Sequence, residues 1–234
     1  MNKIIPPPLE TGRLFADEMR LFDDDSNRLY VDGRERELFL EEAKNLPEAK
    51  HRLFCEVLHW SGCRISEALE LTPRRIEINA CAIKFRTLKR RSVTRSGKQK
   101  KTEYRLVPVP KELIENLDLA FGVRKAQRSK KGLDAYFWPN ALDPKKTMSR
   151  TTGWNIIKRV FAKLDIEGAH TTPKGFRHGY GVAMTLAGMD VYKIQQFLGH
   201  SSADTTQIYR QAIGYENHQY AMSYWDKLEE IKQR

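Results

Sequence analysis

Long apolar runs are missing from this 234-residue chain. No stretch approaches the roughly 18 uninterrupted hydrophobic residues that a membrane-spanning helix needs. The first residues also lack the basic-then-apolar pattern of a secretory signal. Both absences point to a soluble, cytoplasmic protein without a membrane partner. Cysteine is scarce too: Cys55, Cys63 and Cys81 form neither an even set for disulfides nor a metal-spaced cluster. They read as small reduced core residues, and no metal site is expected. No internal repeat is visible, which leaves one compact domain with appendages as the expected size class. Acidic residues are absent locally. The segment from Lys84 to Lys101, KFRTLKRRSVTRSGKQKK, holds nine Lys or Arg and no Asp or Glu, so it supplies +9 of the formal +11. Residues 1–50 carry twelve acids against eight bases, a net of −4. A basic balance of this kind is the electrostatic footprint of nucleic-acid binding. The phosphate backbone would be held by the middle of the chain, with affinity that falls steeply with salt. A generic charge run of this kind is also compatible with a solvated loop.

What is present alternates in character. The triple proline at Pro6, Pro7 and Pro8 cannot lie inside a helix, and residues 1–30 read as an N-terminal extension. GRERELFLEEAKNLP, from Gly33, sets Leu38, Phe39 and Ala43 on one helical face. EAKHRLFCEVLHWSG repeats the pattern with Leu53, Phe54, Val57 and Leu58, and ends on Gly62, a residue suited to a left-handed cap. A short helix, ISEALEL, follows. IEINACAIKFRTL and TEYRLVPVP are β-favouring runs on either side of the basic stretch, which predicts a hairpin with a charged tip. Helices then resume. Ser149 can cap one whose stripe is Trp154, Ile157, Phe161 and Leu164, and further helices cover KGFRHGYGVAMTLAG, DVYKIQQFLG, ADTTQIYRQA and a terminal segment. The expected class is α+β, mostly α-helical, with a small antiparallel sheet.

Arg64 follows a helix-ending glycine and opens a short helix, and Arg177 lies near the start of another, beside His178. Two arginines at helix starts are electrostatically odd, because the helix dipole favours anions there. They make sense if dipole and guanidinium serve one anion, since the guanidinium fork matches phosphate oxygens bidentately. LGHSSADTTQIY then sets His200 and Tyr209 nine residues apart, 23 residues after Arg177. Taken alone, Tyr209 reads as core packing and His200 as a capping histidine.

Together these boxes resemble the tyrosine recombinase (phage integrase) family over about residues 31–214. SGCRISEALEL resembles its first box, with Arg64 and the supporting acid Glu67; TPKGFRHG and LGHSSADTTQIY resemble its second. The resemblance implies the family's catalytic-domain fold, with Tyr209 as nucleophile on a DNA phosphodiester, giving a 3′-phosphotyrosyl enzyme and a free 5′-hydroxyl. The covalent link conserves the energy of the broken bond, so neither a metal nor another cofactor is implied. Arg64 and Arg177 would hold the phosphate and stabilise its transition state. His200 would hydrogen-bond a non-bridging oxygen or the attacking group. The lysine that protonates the leaving 5′-oxygen falls at Lys89, while Arg90, Arg91, Arg95, Lys98, Lys100 and Lys101 would touch phosphates. Residues 215–234, with Tyr220, Tyr224, Leu228 and Ile231 at helical spacing, form a helix that either packs on its own core or docks on a neighbouring protomer. The implied partners are duplex DNA with inverted-repeat sites, further copies of the chain in a homo-tetramer, and accessory DNA-binding proteins.

Two departures stand out. Where the family usually has histidine three residues before the second arginine, this chain has Lys174. A lysine still donates to phosphate but holds its own proton near pKa about 10.4, so it is a poor proton acceptor at neutral pH. That role passes to His200 or solvent. The family's separate N-terminal core-binding domain is also not matched by residues 1–30. The chain therefore resembles the small single-domain members or is part of a longer protein, and Met1 favours the former. Three functions compete: a site-specific recombinase, a type IB topoisomerase-like nicking and rejoining enzyme, and a DNA-binding regulator that keeps the fold without catalysis.

Overall fold

A computed structural model describes residues 20–87 and 103–200, together with Thr206, Ile208 and Tyr209. Eight helices and three strands occur among the described residues: α1 (Gly33–Ala43), α2 (Ala49–Ser61), α3 (Ile65–Leu69), β1 (Ile76–Glu77), β2 (Ala82–Arg86), β3 (Tyr104–Pro108), α4 (Lys111–Phe121), α5 (Val123–Ser129), α6 (Arg150–Lys163), α7 (Pro173–Leu186) and α8 (Val191–Leu198). The α+β expectation, helical with a small antiparallel sheet, matches this order. The terminal helix expected over residues 215–234 and the hairpin tip lie outside the described residues.

Local chemistry sets the helix ends. Asp32 caps α1, accepting from the Glu35 amide while Glu35 accepts from the Asp32 amide. Ser149 and Thr172 cap α6 and α7 through their hydroxyls. α2 and α8 stop at Gly62 and Gly199, both left-handed at φ 58° and 66°. The strands pair in the order β1-β2-β3, all antiparallel, with Ile83 opposite Val107 and Phe85 opposite Arg105 on the buried face. An arginine thus takes an inward position in a strand whose other inward residue is Val107.

The large core joins α1, α2, α6, the sheet and the segment around Trp138. Phe39 packs on Phe161 and Phe176 at ring-centroid distances of 4.9 and 4.5 Å, and Phe54 meets Trp138 at 5.2 Å. A second, smaller cluster holds Leu21, Tyr30, Tyr180, Val182, Ile194, Leu198, Ile208 and Tyr209. Leu21 and Tyr30 come from the segment expected as an extension, so its end from Arg20 packs on the body.

Three details depart from the sequence reading. Leu38 is exposed, and the inward positions of α1 are Arg36, Phe39, Leu40 and Ala43. Arg36 is tolerated there because its guanidinium donates to the Phe176 and His59 carbonyls and lies over the rings of Phe176 and Tyr180. Trp154 is also outside the core, with the Lys158 ammonium over its ring, and Ile156, Ile157, Val160 and Phe161 form the buried stripe of α6. Helices α4 and α5, which no expectation covered, bury Leu113, Ile114 and Leu117 from α4, packed against α2, and Val123 and Ala126 from α5.

Candidate active site

Arg64 is the residue on which α3 opens. Glu67, one turn on, reaches back so that one carboxylate oxygen accepts the Arg64 amide at 2.8 Å while the other accepts Arg64 Nη1 at 2.9 Å. The Glu67 side chain is fully enclosed, whereas 39% of the Arg64 side chain remains exposed. The acid is therefore anchored inside and the arginine faces outward. Burial pushes the Glu67 carboxyl up, but hydrogen bonds from Arg105 and the charges of Arg105, Arg177 and Arg64 outweigh it and hold the group below its ordinary range.

Arg177 lies just past the first turn of α7, 8% exposed. Its Nη1 donates to the Gly62 carbonyl at 2.8 Å and its Nη2 to the Leu198 carbonyl. Each acceptor stands two residues before a site residue, Gly62 before Arg64 and Leu198 before His200. One buried guanidinium thus ties together the two loops that carry them. Burial, reinforced by the Arg64 charge, lowers its pKa to about 10, which leaves it a cation at neutral pH.

His200 follows the left-handed Gly199. Its Nδ1 meets Thr206 Oγ1 at 2.9 Å, and its amide donates to the Gln195 carbonyl. Burial and the Arg177 and Arg64 charges push its pKa down to about 2, so the imidazole is neutral. Tyr209 is 0% exposed, with its ring stacked 6.2 Å from that of His200. The ring packs directly on Gly181 of α7: a Cβ at position 181 would fall 2.3 Å from the Tyr209 Cζ. Burial raises the phenol to about 12 against the opposing Arg177 and Arg64 charges. In this geometry Tyr209 is protonated and shielded from any macromolecular substrate.

Two residues stand closer to the centre than sequence reasoning allowed. His178 was set aside as a supporting neighbour of Arg177, yet its Nδ1 lies 3.3 Å from the Tyr209 hydroxyl. Its Nε2 is buried without a hydrogen-bond partner. Burial, with the Lys174 and Arg177 charges, drives the ring down to about 3. Lys174 is exposed, one helical turn before His178. Arg105, on β3, holds Glu67 from the inside: Nη1 and Nη2 donate to its two oxygens, and Nε donates to the Phe197 carbonyl at 2.7 Å. The only signal for it in the sequence was phase, since Arg105 alternates with Val107 in YRLVP.

The described residues bring Arg64, Glu67, Arg177, His200 and Tyr209 together. Lys89, Arg90, Arg91, Arg95, Lys98, Lys100 and Lys101 lie outside them. Among the described residues no group of three or more His, Cys, Asp or Glu could hold a metal ion, and no helix is long and apolar enough to cross a membrane.

A family model described as the phage integrase family matches residues 30–214. Tyrosine recombinase XerD of Mycobacterium tuberculosis is 33% identical over 162 residues, covering 68% of this chain and 47% of the relative. Tyrosine recombinase XerA of Thermococcus kodakarensis is 30% identical over 161 residues, covering 68% of this chain and 50% of its own length. The chain therefore spans about half the length of the curated relatives it matches. Among solved structures, the XerA recombinase superposes with a TM-score of 0.59 at 24% identity over 82% of this chain and 64% of that one. The XerH site-specific recombinase in a post-cleavage complex with palindromic difH substrate superposes with a TM-score of 0.62 at 19% identity, over 88% and 57%.

Proposed function

The chain belongs to the phage integrase family, and from that premise we propose that it cleaves and rejoins DNA at specific sites through a 3′-phosphotyrosyl intermediate. The observation that carries this reading is the convergence of two arginines and a histidine around one tyrosine, with the Arg177 guanidinium bonded to both loops that present Arg64 and His200. The Tyr209 oxygen attacks phosphorus as its phenol proton passes to solvent water, the new O–P bond forms as the bond to the 5′-oxygen breaks, and the 5′-oxygen takes a proton from Lys89. Arg64 and Arg177 neutralise the non-bridging oxygens, where charge accumulates in the transition state. His200, fixed through Nδ1 by Thr206, has its other nitrogen for a phosphate oxygen. Lys174, exposed at the start of α7, is a phosphate contact.

Because Tyr209 is enclosed, it reaches a phosphodiester only after its ring leaves the pocket on Gly181 or the cover above it opens. The enclosed form is the resting state, with the phenol neutral and unreactive toward stray electrophiles. Residues 31–214 form the catalytic unit. The basic segment with Arg90, Arg91, Arg95, Lys98, Lys100 and Lys101 tracks the DNA backbone, and each phosphate contact there adds to the salt dependence. The terminal helix over residues 215–234 docks on a neighbouring copy in a tetramer assembled on paired inverted repeats in the cytoplasm, with accessory DNA-binding proteins at the site.

Covalent trapping on a nicked suicide duplex built from inverted repeats beside the chain's own gene tests the reading. The expected result is an adduct whose DNA-linked peptide contains Tyr209, absent in Tyr209→Phe, with DNA binding by the variant within about twofold of wild type. Binding without any adduct would favour a regulator on the same fold. Relaxation of supercoiled plasmid without paired sites would favour a topoisomerase-like activity.

A further inference from the structure

Arg105 is one of the few buried charged residues among the described residues. Its side chain is 4% exposed, and that of its partner Glu67 is 0% exposed. Three nitrogen atoms of one guanidinium are engaged: two grip the oxygens of Glu67 and the third holds the Phe197 carbonyl. The plane lies over the Phe85 ring, 5.2 Å from its centroid. Gly199 leaves room for it, since a Cβ there would sit 3.1 Å from Arg105 Cδ and Nη1. A glycine at 199 therefore serves the left-handed turn and this close approach together.

The connectivity gives these contacts their meaning. From Arg105 one path runs through Glu67 to the amide and guanidinium of Arg64. The other runs through the Phe197 carbonyl into the turn that leads through Leu198 and Gly199 to His200. Arg177 joins the same two loops by separate bonds, to Gly62 and Leu198. Two guanidiniums thus staple one junction, but they differ in what remains free. Arg105 grips both oxygens of Glu67, and three arginines around one carboxylate leave two positive charges in excess for an incoming phosphate.

We propose that Arg105 is a positioning residue of the strand-transfer site, which holds the Arg64 guanidinium through Glu67 and the His200 loop through the Phe197 carbonyl. The inference rests on the reading above that Arg64 and His200 bind the scissile phosphate. A lysine at 105 keeps the charge but cannot fork onto two carboxylate oxygens and reach a carbonyl at once.

The test compares wild type with Arg105→Lys on two nicked suicide duplexes, identical except that one carries a methylphosphonate at the scissile position. That group lacks the negative charge that Arg64 and Arg177 neutralise. Adduct formation by Arg105→Lys on the phosphodiester is expected to fall about 10- to 100-fold, the scale of a misplacement near 1 Å. On the methylphosphonate duplex the variant is expected within about threefold of wild type, because a neutral centre needs less of Arg64. An equal loss on both duplexes would overturn the proposal and leave Arg105 as packing, and so would no loss on either. If Arg105→Lys loses its cooperative thermal melt, the pair Arg105→Met with Glu67→Gln, which removes both buried charges, takes its place with the same expected outcomes. Failure of wild type to form a Tyr209 adduct on the phosphodiester would instead sink the functional reading, so the two failures are told apart.

Discussion

The two hydrophobic clusters hold different parts of the site. The large one stacks aromatic rings across α1, α2, α6 and α7 and backs the sheet from which Arg105 reaches Glu67. The small one is assembled partly from close approaches to glycine: Tyr209 lies on Gly181, and Tyr180 lies on Gly62. Arg64 opens the helix whose Ile65, Ala68 and Leu69 belong to the first, the proposed nucleophile Tyr209 belongs to the second with His200 stacked on it, and Arg177 bonds across to the Gly62 and Leu198 carbonyls. Full burial of one large side chain is worth about 1.5–3 kcal/mol, against a stability of about 5–15 kcal/mol for a typical domain. On the proposed reading, Tyr209 would leave its pocket while the body of the domain stays folded, because the burial of one ring is a small part of that stability.

The largest difference between the clusters should appear when each loses a ring contact. Phe54→Ala removes a fully buried ring that touches Trp138, and it should cost about 3–5 kcal/mol of global stability, read by urea denaturation. Gly181→Ala should act in the other sense. The added methyl drives the Tyr209 ring out, while alanine in mid-helix returns up to about 1 kcal/mol of helix propensity. The urea midpoint should move little. The 19F spectrum of a 3-fluorotyrosine at 209 should shift to the released form, by at least about tenfold in population if docking is worth about 1.5 kcal/mol. A Gly181→Ala protein that loses several kcal/mol of global stability would show that the clusters are one cooperative unit.

The same division explains what could be read in the chain. Elements whose ends are capped by local chemistry were legible: Ser149 opening α6 and Gly62 closing α2. The first chemistry-bearing box follows Gly62, so its helical placement followed. Arg36 and Arg105 were not legible as buried, because a charged side chain reads as surface unless its distant partners are known. Those partners are the Phe176 and His59 carbonyls in one case and Glu67 with Phe197 in the other. Leu38 and Trp154 point outward for the converse reason, as a neighbouring position on the same helix fills the core. Helix α4 carried a readable pattern in Leu113, Ile114 and Leu117 after Pro110, but no chemistry drew the reading there. His178 meets Tyr209 across 31 positions of sequence, a pairing that only the packing of the small cluster creates.

The smallest expected effect is the most pointed, because His59 in one region and His178 in the other are equally buried histidines, each 2% exposed. His59 is 2% exposed, and its ring faces Trp60 and Phe176 with Nδ1 unpartnered. Burial, with the nearby Arg36 charge, lowers its pKa to about 3. His178 is lowered to about 3 by burial with Lys174 and Arg177. A histidine depressed in the folded state contributes stability above its unfolded value of about 6.5, and that contribution shrinks as pH falls from there toward the folded value, because only the unfolded chain takes up the proton. Between about pH 7 and 5.5 each such group should remove about 1 kcal/mol from whichever transition exposes it. For His59 that transition is global unfolding, so His59→Gln should flatten the fall in urea-derived stability. His178 touches Tyr209, so release of that ring gives its imidazole water before the large core opens. Acid should then raise the released population in the 19F spectrum of wild type, and His178→Phe should reduce that dependence to the part carried by His200, which stacks on the same ring, while leaving the global slope set by His59. If His178→Phe flattened the urea-derived slope as much as His59→Gln and left the 19F response to acid unchanged, Tyr209 would be as firmly built into the fold as Phe54, and the proposed nucleophile could not leave its pocket without unfolding the frame proposed to bind phosphate.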